Sequence, residues 1–519
     1  MAKATLEIES ILGGRAPSKY FVGDFQYQAG IAIDPDYPIG SEIMTSGAIV
    51  PTVYEKFSST EVDSYPMWLI TTTKNSNIYA YLANGKFVSY DSALANPASI
   101  GTPTSGAGNG GAYYNNYIYL STPTDVSRYG PLNGSPSLAN TFWTITLSLT
   151  ALTNTTYPTI RGVSLPNHVM HPHNNGVLYI ADFKDGQGLI HTLSTKKVTV
   201  EGDSNDTVIP SAYNSLDLPY GYYPTCFASY NTDLVIGAIQ TTNSSVMQGK
   251  AALFFWDTTS SSFYRQVPID DPYISGLQNV NGVLHLFSGS GQNGMRISQY
   301  LGGDSIAEIA FLEEGNTPFP GAIEAIASRI FFGTWTTYPA TTGSVFSFGS
   351  KKSSLPQSFH NVIRTTSAGA NPVVTAIRRF DQDSNVKAKL VVGWGNDSAK
   401  GIDKISTSGT YNSTIRFPWF NIGKKFRIEK IQIPLAVAVA ANMSVTPKIY
   451  VDDEVTTAHQ TLTEINNTNY SGKKNVIYKN PQLTANGEHN FMLELNFAGS
   501  VACPVTFPIL IFVDIRDDE

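Results

Sequence analysis

Cysteine is scarce in this sequence, because only Cys226 and Cys503 occur among its 519 residues. Both stand in apolar, strand-like contexts. Neither a disulfide framework nor a cysteine-based metal site is therefore supported. Buried free thiols are the expectation for both positions.

Charge is also scarce, at 14% of the chain, against about 25% in ordinary globular proteins. The 34 Lys and Arg residues are scattered, and 41 acidic residues give a formal net charge of −7. Without a basic cluster the chain lacks the electrostatic signature of a dedicated nucleic-acid binder. Ser, Thr, Asn and Gly must then cover much of the surface, and these residues favour turns and strand ends over helix interiors. The composition predicts an all-β protein.

Long hydrophobic runs are missing as well. The most apolar stretches, residues 435–441 and 508–513, are about a third of the length that spans a bilayer, so they are predicted to be strands and no membrane-spanning segment is expected. At the N-terminus, Glu7 and Glu9 stand where a secretory signal needs an unbroken apolar stretch. Synthesis in the cytosol is the expectation.

An internal repeat runs through the middle of the chain. Its clearest part is a short apolar strand, found at residues 118–121, 178–181, 234–237, 284–287, 330–333 and 390–393. The copies are roughly 46 to 60 residues apart, which is the length of a four-stranded blade with its loops. The repeat predicts a β-propeller of six or seven blades over residues 61–417, with a stack of unrelated β-sandwiches as the alternative. Gly237, Gly333 and Gly393 are predicted to permit close backbone approach between blades.

The two flanks differ from the repeat region. Residues 418–519 contain longer alternating strands and predict a compact C-terminal β-sandwich or jelly roll. Residues 1–60 are predicted to be an extended N-terminal arm with turns. The aromatic residues of this arm are predicted to anchor assembly: Tyr20, Phe21, Phe25 and Tyr27.

Motifs of known enzymes are not found. The sequence has no sialidase box, P-loop, Gly-x-Ser-x-Gly elbow or His-Glu-x-x-His motif. Acidic pairs such as Asp270 and Asp271, Glu313 and Glu314, and the run at residues 452–454 are expected to be solvated turns. No catalytic residue and no cofactor are predicted.

A group of histidines is the best candidate for a metal site in the sequence. His168, His171 and His173 stand close together, and His191 follows one strand later. Alternation places His171 and His173 on one side of a strand, but the turn at residues 174–176 offers them other partners, so both are predicted to be structural. Residues 381–385 resemble half of a calcium loop, but Val386 replaces its glycine, and a polar turn is expected. No metal is predicted.

Exposed aromatic residues are the features that would suit a sugar ligand. Residues 220–223, which include three tyrosines, and Trp335 are the candidates. Aromatic residues also fill the space between blades, and packing is the favoured interpretation.

The sequence resembles virion structural proteins of tailed phages. Residues 414–423 (TIRFPWFNIG) and 426–431 are similar to segments that join a propeller-like region to a C-terminal sandwich in those proteins, and residues 16–21, 30–36 and 45–47 also resemble phage proteins. The resemblance implies a nozzle or hub of a short tail, which forms a ring around a central conduit. No functional residue carries over, because the matching positions are structural.

The leading hypothesis is a non-enzymatic virion component that forms a ring in the tail or at the head-to-tail junction. Its partners would be further copies of itself, other virion proteins, and DNA passing through the conduit. Low charge suits permanent interfaces, which are depleted in Lys and Glu. A second hypothesis is a tail-tip protein that binds a receptor or a host-surface glycan, and a third is a propeller glycosidase or dehydrogenase.

Overall fold

The computed structural model describes the following parts of the chain: residues 2–9, 14–15, 26–27, 29–31, 33–34, 50–51, 53–57, 61–91, 97–103, 110–140, 142, 149, 159–160, 163–164, 168–196, 207–210, 216–240, 249–289, 294–312, 317–326, 328–334, 344–349, 358–364, 373–380, 389–396, 399–406, 413–452, 454, 456–481 and 489–515. The chain divides into two compact units. The propeller unit comprises Lys56–Gly343 and Thr365–Lys404, and the terminal unit comprises Met1–Glu55, Ser344–Arg364 and Ile405–Glu519.

The N-terminal strands are β1 Ala2–Ile8, β2 Gly14–Arg15, β3 Gln26–Tyr27, β4 Ala29–Ile31, β5 Ile33–Asp34, β6 Val50–Pro51 and β7 Val53–Phe57. The middle strands are β8 Pro66–Thr71, β9 Ile78–Leu82, β10 Phe87–Tyr90, β11 Ala98–Gly101, β12 Gly110–Tyr114, β13 Tyr117–Ser121, β14 Val126–Gly130, β15 Ser137–Ala139, β16 Thr159–Ile160, β17 Val163–Ser164, β18 Met170–Pro172, β19 Val177–Lys184, β20 Gln187–Lys196, β21 Thr207–Pro210, β22 Leu216–Tyr220, β23 Tyr222–Tyr230, β24 Asp233–Gln240, β25 Ala252–Trp256, β26 Arg265–Pro268, β27 Tyr273–Val280, β28 Val283–Gly289, β29 Met295–Gly302, β30 Ser305–Leu312, β31 Ile323–Ile326, β32 Arg329–Gly333, β33 Ser344–Gly349, β34 Ser358–Arg364, β35 Val373–Phe380, β36 Lys389–Gly395 and β37 Lys400–Ser406. The C-terminal elements are β38 Ser413–Arg416, β39 Phe420–Asn421, β40 Phe426–Pro434, β41 Met443–Val451, β42 Gln460–Thr461, β43 Ile465–Asn466, the helix α1 Asn467–Tyr470, β44 Asn475–Lys479, β45 Asn490–Gly499 and β46 Ile509–Ile515.

The propeller unit is a ring of antiparallel sheets. Five sheets follow in chain order as β8–β11, β12–β15, β18–β22, β23–β26 and β27–β30; the β31–β32 hairpin begins the sixth, and β35, β36, β37 and β7 form the seventh. The first strands β8, β12, β18, β23, β27, β31 and β35 contact one another in that order, and β35 contacts β8. Within the described residues these seven first strands close a ring, which defines a seven-bladed β-propeller. The all-β propeller prediction is confirmed.

The hydrophobic core of the propeller lies between neighbouring blades. Ile70 and Phe87 of the first blade share a buried cluster with Ile118 of the second, and Leu69 of the first blade shares another with Val391 of the seventh. Each such buried side chain contributes roughly 1.5–3 kcal/mol relative to an exposed one. Because a blade buries its faces only against its neighbours, this contribution depends on an intact ring.

Glycines permit the close approach that the repeat predicts. A Cβ atom at Gly333 would lie 2.3 Å from Cγ1 of Val374, and one at Gly393 would lie 2.8 Å from Cβ of Pro66. At Gly237 the nearest atom would be Sγ of Cys226, at 2.5 Å. These distances are shorter than normal non-bonded contacts. At Gly333 and Gly393 the neighbouring atom belongs to the next blade, whereas at Gly237 it belongs to the same blade and the next-blade contact is Cδ1 of Ile274 at 3.1 Å.

Hydroxyl groups also join neighbouring blades. Thr225 is the extra residue of a β-bulge in β23, and its Oγ1 donates to the carbonyl oxygen of Ile274 in the next blade at 2.6 Å. Thr375 is the corresponding residue of β35, and its Oγ1 donates to the carbonyl oxygen of Pro66 at 2.6 Å. Both threonines are buried. The bulge therefore places a hydroxyl donor against a backbone carbonyl of the adjacent first strand.

The terminal unit contains two larger sheets. One has the strand order β1-β46-β40-β44. The other has the order β4-β38-β45-β41-β42, and the short strands β39 and β43 pair with β45 and β41. Ile8, Ile428 and Ile511 of the first sheet belong to the same buried cluster as Val445 and Leu493 of the second. The structure thus shows two sheets that share one buried core. The C-terminal sandwich over residues 418–519 stays a prediction.

The domain division differs from the predicted one. β1 pairs along its length with β46, from Ala2 opposite Ile515 to Ile8 opposite Ile509, and β7 belongs to the seventh blade. The described strands of residues 1–60 are therefore parts of sheets rather than an extended arm. β1 thus forms backbone hydrogen bonds with a strand near the other end of the chain. The propeller unit also ends at Lys404 and not at Phe417.

Cys226 and Cys503 are buried and free, as expected. Burial raises the pKa of each thiol to about 12, so both remain protonated near neutral pH. Among the described residues, no helix has the length and hydropathy needed to cross a bilayer.

Candidate functional site: the axial cavity of the propeller

A cavity of about 710 Å³ lies among the first strands of all seven blades. We call it the axial cavity. Its wall comprises Trp68, Leu69, Ile70, Thr71, Gly111, Ala112, Tyr113, Val169, Met170, His171, Pro172, Asn174, Thr225, Cys226, Phe227, Ala228, Ser229, Gly276, Leu277, Gln278, Asn279, Pro320, Ile323, Glu324, Ala325 and Arg378. The volume falls within the range of small-molecule sites.

The strand registers divide this wall into two levels. The apolar level contains the wall residues that occupy one equivalent position of the first strands: Leu69, Gly111, Met170, Phe227, Leu277 and Ile323. The next residue of each strand forms the polar level. Four of the seven residues there are polar or charged, namely His171, Gln278, Glu324 and Arg378.

Arg378 connects three blades at the polar level. Its Nη1 donates to Oε2 of Glu324 in the sixth blade at 3.1 Å, and its Nε donates to Oγ1 of Thr71 in the first blade at 3.4 Å. The Glu324 side chain is 15% exposed and that of Arg378 is 43% exposed. Burial raises the pKa of Glu324 despite the nearby guanidinium group. The ion pair is therefore partly desolvated but open on the Arg378 side.

His171 occupies the opposite part of the polar level. Its Nε2 lies 2.9 Å from Oγ of Ser229 in the fourth blade. Burial, with a smaller contribution from His173, lowers the pKa of His171 to about 4. Asn279 donates from Nδ2 to the carbonyl oxygen of Ser229 at 3.0 Å. The imidazole is thus neutral at pH 7, and it joins the third and fourth blades.

His173 lies beside His171 but has a different partner. The two rings are 6.3 Å apart, and Nε2 of His173 lies 3.0 Å from the carbonyl oxygen of Asp233. Both imidazoles contact the β23–β24 hairpin, in agreement with their alternation on one strand. Each has a protein partner, which supports the structural roles expected from the sequence.

His168 and His191 meet at Asp182, outside the axial cavity. Nε2 of His191 lies 3.0 Å from Oδ2 of Asp182, and Nδ1 of His168 lies 3.5 Å from Oδ1. All three residues are buried. Across the described part of the chain, no group of three or more His, Cys, Asp and Glu side chains is arranged to hold a metal ion.

Several candidates from the sequence lie elsewhere. Tyr20, Phe21 and Phe25 are outside the described residues, and Tyr27 is on β3, which pairs with β2. Trp335, the acidic pair at 313–314 and the calcium-like turn at 381–385 also lie outside them.

Two expectations about exposure need correction. Asp271 is buried rather than solvated, because Oγ of Ser288 donates to its Oδ2 at 2.7 Å and Arg296 donates to its Oδ1. Tyr220 is 74% exposed and does not pack between blades.

Sequence reasoning missed the polar level. Gln278, Glu324 and Arg378 occupy the same position in three first strands, and that position recurs about every fifty residues, the usual spacing of blades. A signal was present, since the three occupy the same position of the repeat. Only alignment of the first strands, residue by residue, reveals it.

The fold and its cavity define an all-β protein that contains a seven-bladed β-propeller. No family model and no curated protein match the chain. Many solved structures are similar to it, among them two at 10% identity. The β-propeller domain of Cps50 (Swd1) from Myceliophteria thermophila has a TM-score of 0.42 and covers 68% of this chain and 99% of its own. The computationally designed Ika8 protein has a TM-score of 0.36 and covers 66% of this chain and 97% of its own.

The neutral state of His171 predicts a pH-dependent stability. In the unfolded chain this imidazole takes up its proton near pH 6.5, whereas in the folded protein it does so near pH 4. The unfolded state therefore binds more protons between these values, and stability falls as the pH is lowered through this window. We expect the wild type to lose about 2 kcal/mol more than His171→Gln between neutral pH and roughly pH 4.5.

Urea unfolding at several pH values measures this difference. His489→Gln is the matched control, because His489 is exposed. Parallel stability curves for the wild type and His171→Gln would contradict the prediction.

Proposed function

We propose that this chain is a non-enzymatic structural component of a tailed-phage virion. It forms a ring in the tail nozzle or hub, or at the head-to-tail junction, and functions in the assembled particle. The sequence resemblance suggests this role, and one structural observation supports it. Two of the stretches that carry the resemblance, residues 30–36 and 414–423, contain strands that pair, since Gly30 lies opposite Ile415 and Ile31 lies opposite Thr414.

This pairing matters because the matching stretches are hundreds of residues apart in the chain. A resemblance that covers two paired strands concerns one structural element rather than two unrelated segments. β38 also pairs with β45, so the element continues into the larger sheet of the terminal unit. The resemblance therefore concerns the larger sheet of the terminal unit.

Exposed apolar side chains supply candidate subunit contacts. Leu301 is 65% exposed and Tyr264 is 56% exposed, on the fifth and fourth blades. Large apolar and aromatic residues of this kind are common at the centres of protein interfaces. In the proposed ring they are covered by neighbouring copies or by other virion proteins.

The proposal predicts a closed oligomer of defined size. Light scattering coupled to size exclusion, followed by negative-stain electron microscopy of the full chain, is expected to show rings with a central opening. In phage particles that carry the chain, antibody labelling is expected to mark the tail axis. A protein that stays monomeric at high concentration and is missing from purified particles would refute the role.

A further inference from the structure

The axial cavity has no net charge to attract an ion. Among the residues that line it, Glu324 and Arg378 are the charged ones, and they form an ion pair with each other. His171 is uncharged at pH 7. A ligand with a full charge would have to compete with this pair. The cavity is therefore suited to a neutral ligand.

The polar groups in the wall are mostly planar and offer both donors and acceptors. Arg378 supplies N–H donors in a fixed fork, Glu324 supplies carboxylate oxygens, and Gln278 and Asn279 each supply an amide with both functions. Hydroxyl groups both donate and accept, so adjacent hydroxyls of one ligand match paired donors and acceptors. This pattern fits a polyhydroxylated molecule.

The rest of the wall is apolar and partly aromatic. Trp68, Tyr113 and Phe227 line the same cavity, and Leu277 and Ile323 belong to its apolar level. Sugar rings present hydroxyls at their edges and C–H groups on their faces, and aromatic side chains pack against such apolar faces. A wall with both kinds of surface matches both parts of a sugar ring.

We propose that the axial cavity is a binding site for a neutral saccharide. The polar level, centred on Arg378, Glu324 and Gln278, holds the ring hydroxyls, and the apolar and aromatic part of the wall packs against the C–H face. This site does not depend on the proposed place of the chain in a virion. If the chain does belong to a virion, the site gives that particle a means of recognising glycans.

Saturation-transfer NMR on the full chain tests the proposal. The probes are D-glucose, D-galactose, N-acetyl-D-glucosamine and maltose, with N-acetylneuraminate and D-glucosamine as charged comparators. We expect transfer to at least one neutral sugar, and at least tenfold weaker binding of the charged comparators. Arg378→Lys keeps the charge but loses the planar fork, and it is expected to weaken binding by about tenfold or more.

A second pair of variants separates occupancy of the cavity from folding. Asn279 is exposed at the wall of the cavity, so Asn279→Trp is expected to obstruct it and abolish the signal while the melting temperature stays near that of the wild type. Val283→Trp is the matched control, because Val283 is exposed and does not line the cavity. It is expected to bind as the wild type does.

Three results would overturn the inference: no transfer to any neutral sugar, preferential binding of a charged comparator, or unchanged binding by folded Asn279→Trp. None of them bears on ring formation. The saccharide site and the virion role can therefore fail separately.

Discussion

Replacing Asp182 by alanine is expected to lower the free energy of unfolding by about 3–5 kcal/mol, the usual cost of removing one member of a buried charged network. Asp182 is 1% exposed, and its carboxylate lies between His168 and His191. The backbone N–H of Phe183 also donates to its Oδ1 at 2.8 Å. Removal of the carboxylate takes the partner from Nε2 of His191 and the acceptor from the Phe183 N–H, while Nδ1 of His168 still lies 2.9 Å from the carbonyl oxygen of Ala181. Urea unfolding at neutral pH measures the loss.

The network also joins two blades. His168 makes a 3.2 Å contact from Nε2 to the carbonyl oxygen of Pro123, and Oγ of Ser121 donates to the His168 carbonyl at 3.0 Å. Loss of Asp182 therefore loosens the junction between the second and third blades as well as the third blade itself. Asp217→Ala, an exposed acid of β22, is the matched control and is expected to change stability by less than about 0.5 kcal/mol.

The sign of the pH dependence follows from the direction of the pKa shift. Burial opposes ionisation of Asp182, but the hydrogen bond from His191 and the nearby His168 ring together hold its pKa below the ordinary value of 3.8. Stabilisation by the carboxylate is thus complete above that value and is lost as the pH falls through the lower folded pKa. The difference between wild type and Asp182→Ala should shrink in strong acid. An equal difference at all pH values would show that charge is not involved.

Gly333→Val is expected to destabilise the propeller by about 3 kcal/mol, because a side chain has no room between the sixth and seventh blades. Even a single Cβ atom would lie 2.3 Å from Cγ1 and 2.6 Å from Cβ of Val374. Val374 is itself fully buried in a first strand, so it cannot rotate away without displacing the strand. Calorimetric or chemical unfolding of the full chain measures the effect.

Gly134→Val is the control for the glycine substitution. A Cβ atom there would meet its nearest neighbour, Cγ of Pro131, at an ordinary 3.7 Å. We expect this variant to unfold within about 0.5 kcal/mol of the wild type. If both variants unfold alike, close approach at Gly333 does not limit stability.

The repeat and its glycines were predictable because they are local patterns. The strand at residues 330–333 ends in Gly333 in the same way that the strand at 390–393 ends in Gly393, so one blade identifies the others. Seven blades rather than six required the structure, since the seventh sheet takes its last strand, β7, from a distant part of the chain. The pairing of Ala2 with Ile515 was unpredictable for the same reason. No short-range pattern specifies which distant strand becomes a neighbour.

The sites were predictable only where histidine marked them. The sequence pointed to His168 and His191 as candidates but not to Asp182. The Asp182 carboxylate contacts both imidazoles. It comes near His191 because the pairing of β19 with β20 places Ile180 opposite His191. The polar level was missed because Glu324 and Arg378 approach each other only after the ring has closed. Their ion pair is a property of neighbouring blades rather than of either strand.

The pairing of β1 with β46 has a consequence for aggregation. β46 has the sequence ILIFVDI, and it lies between β1 and β40 in its sheet. In a chain that lacks residues 2–8, one side of this apolar strand would become an open edge, with free N–H and C=O groups able to pair with another molecule. Residues 2–8 thus protect this apolar strand from intermolecular sheet growth.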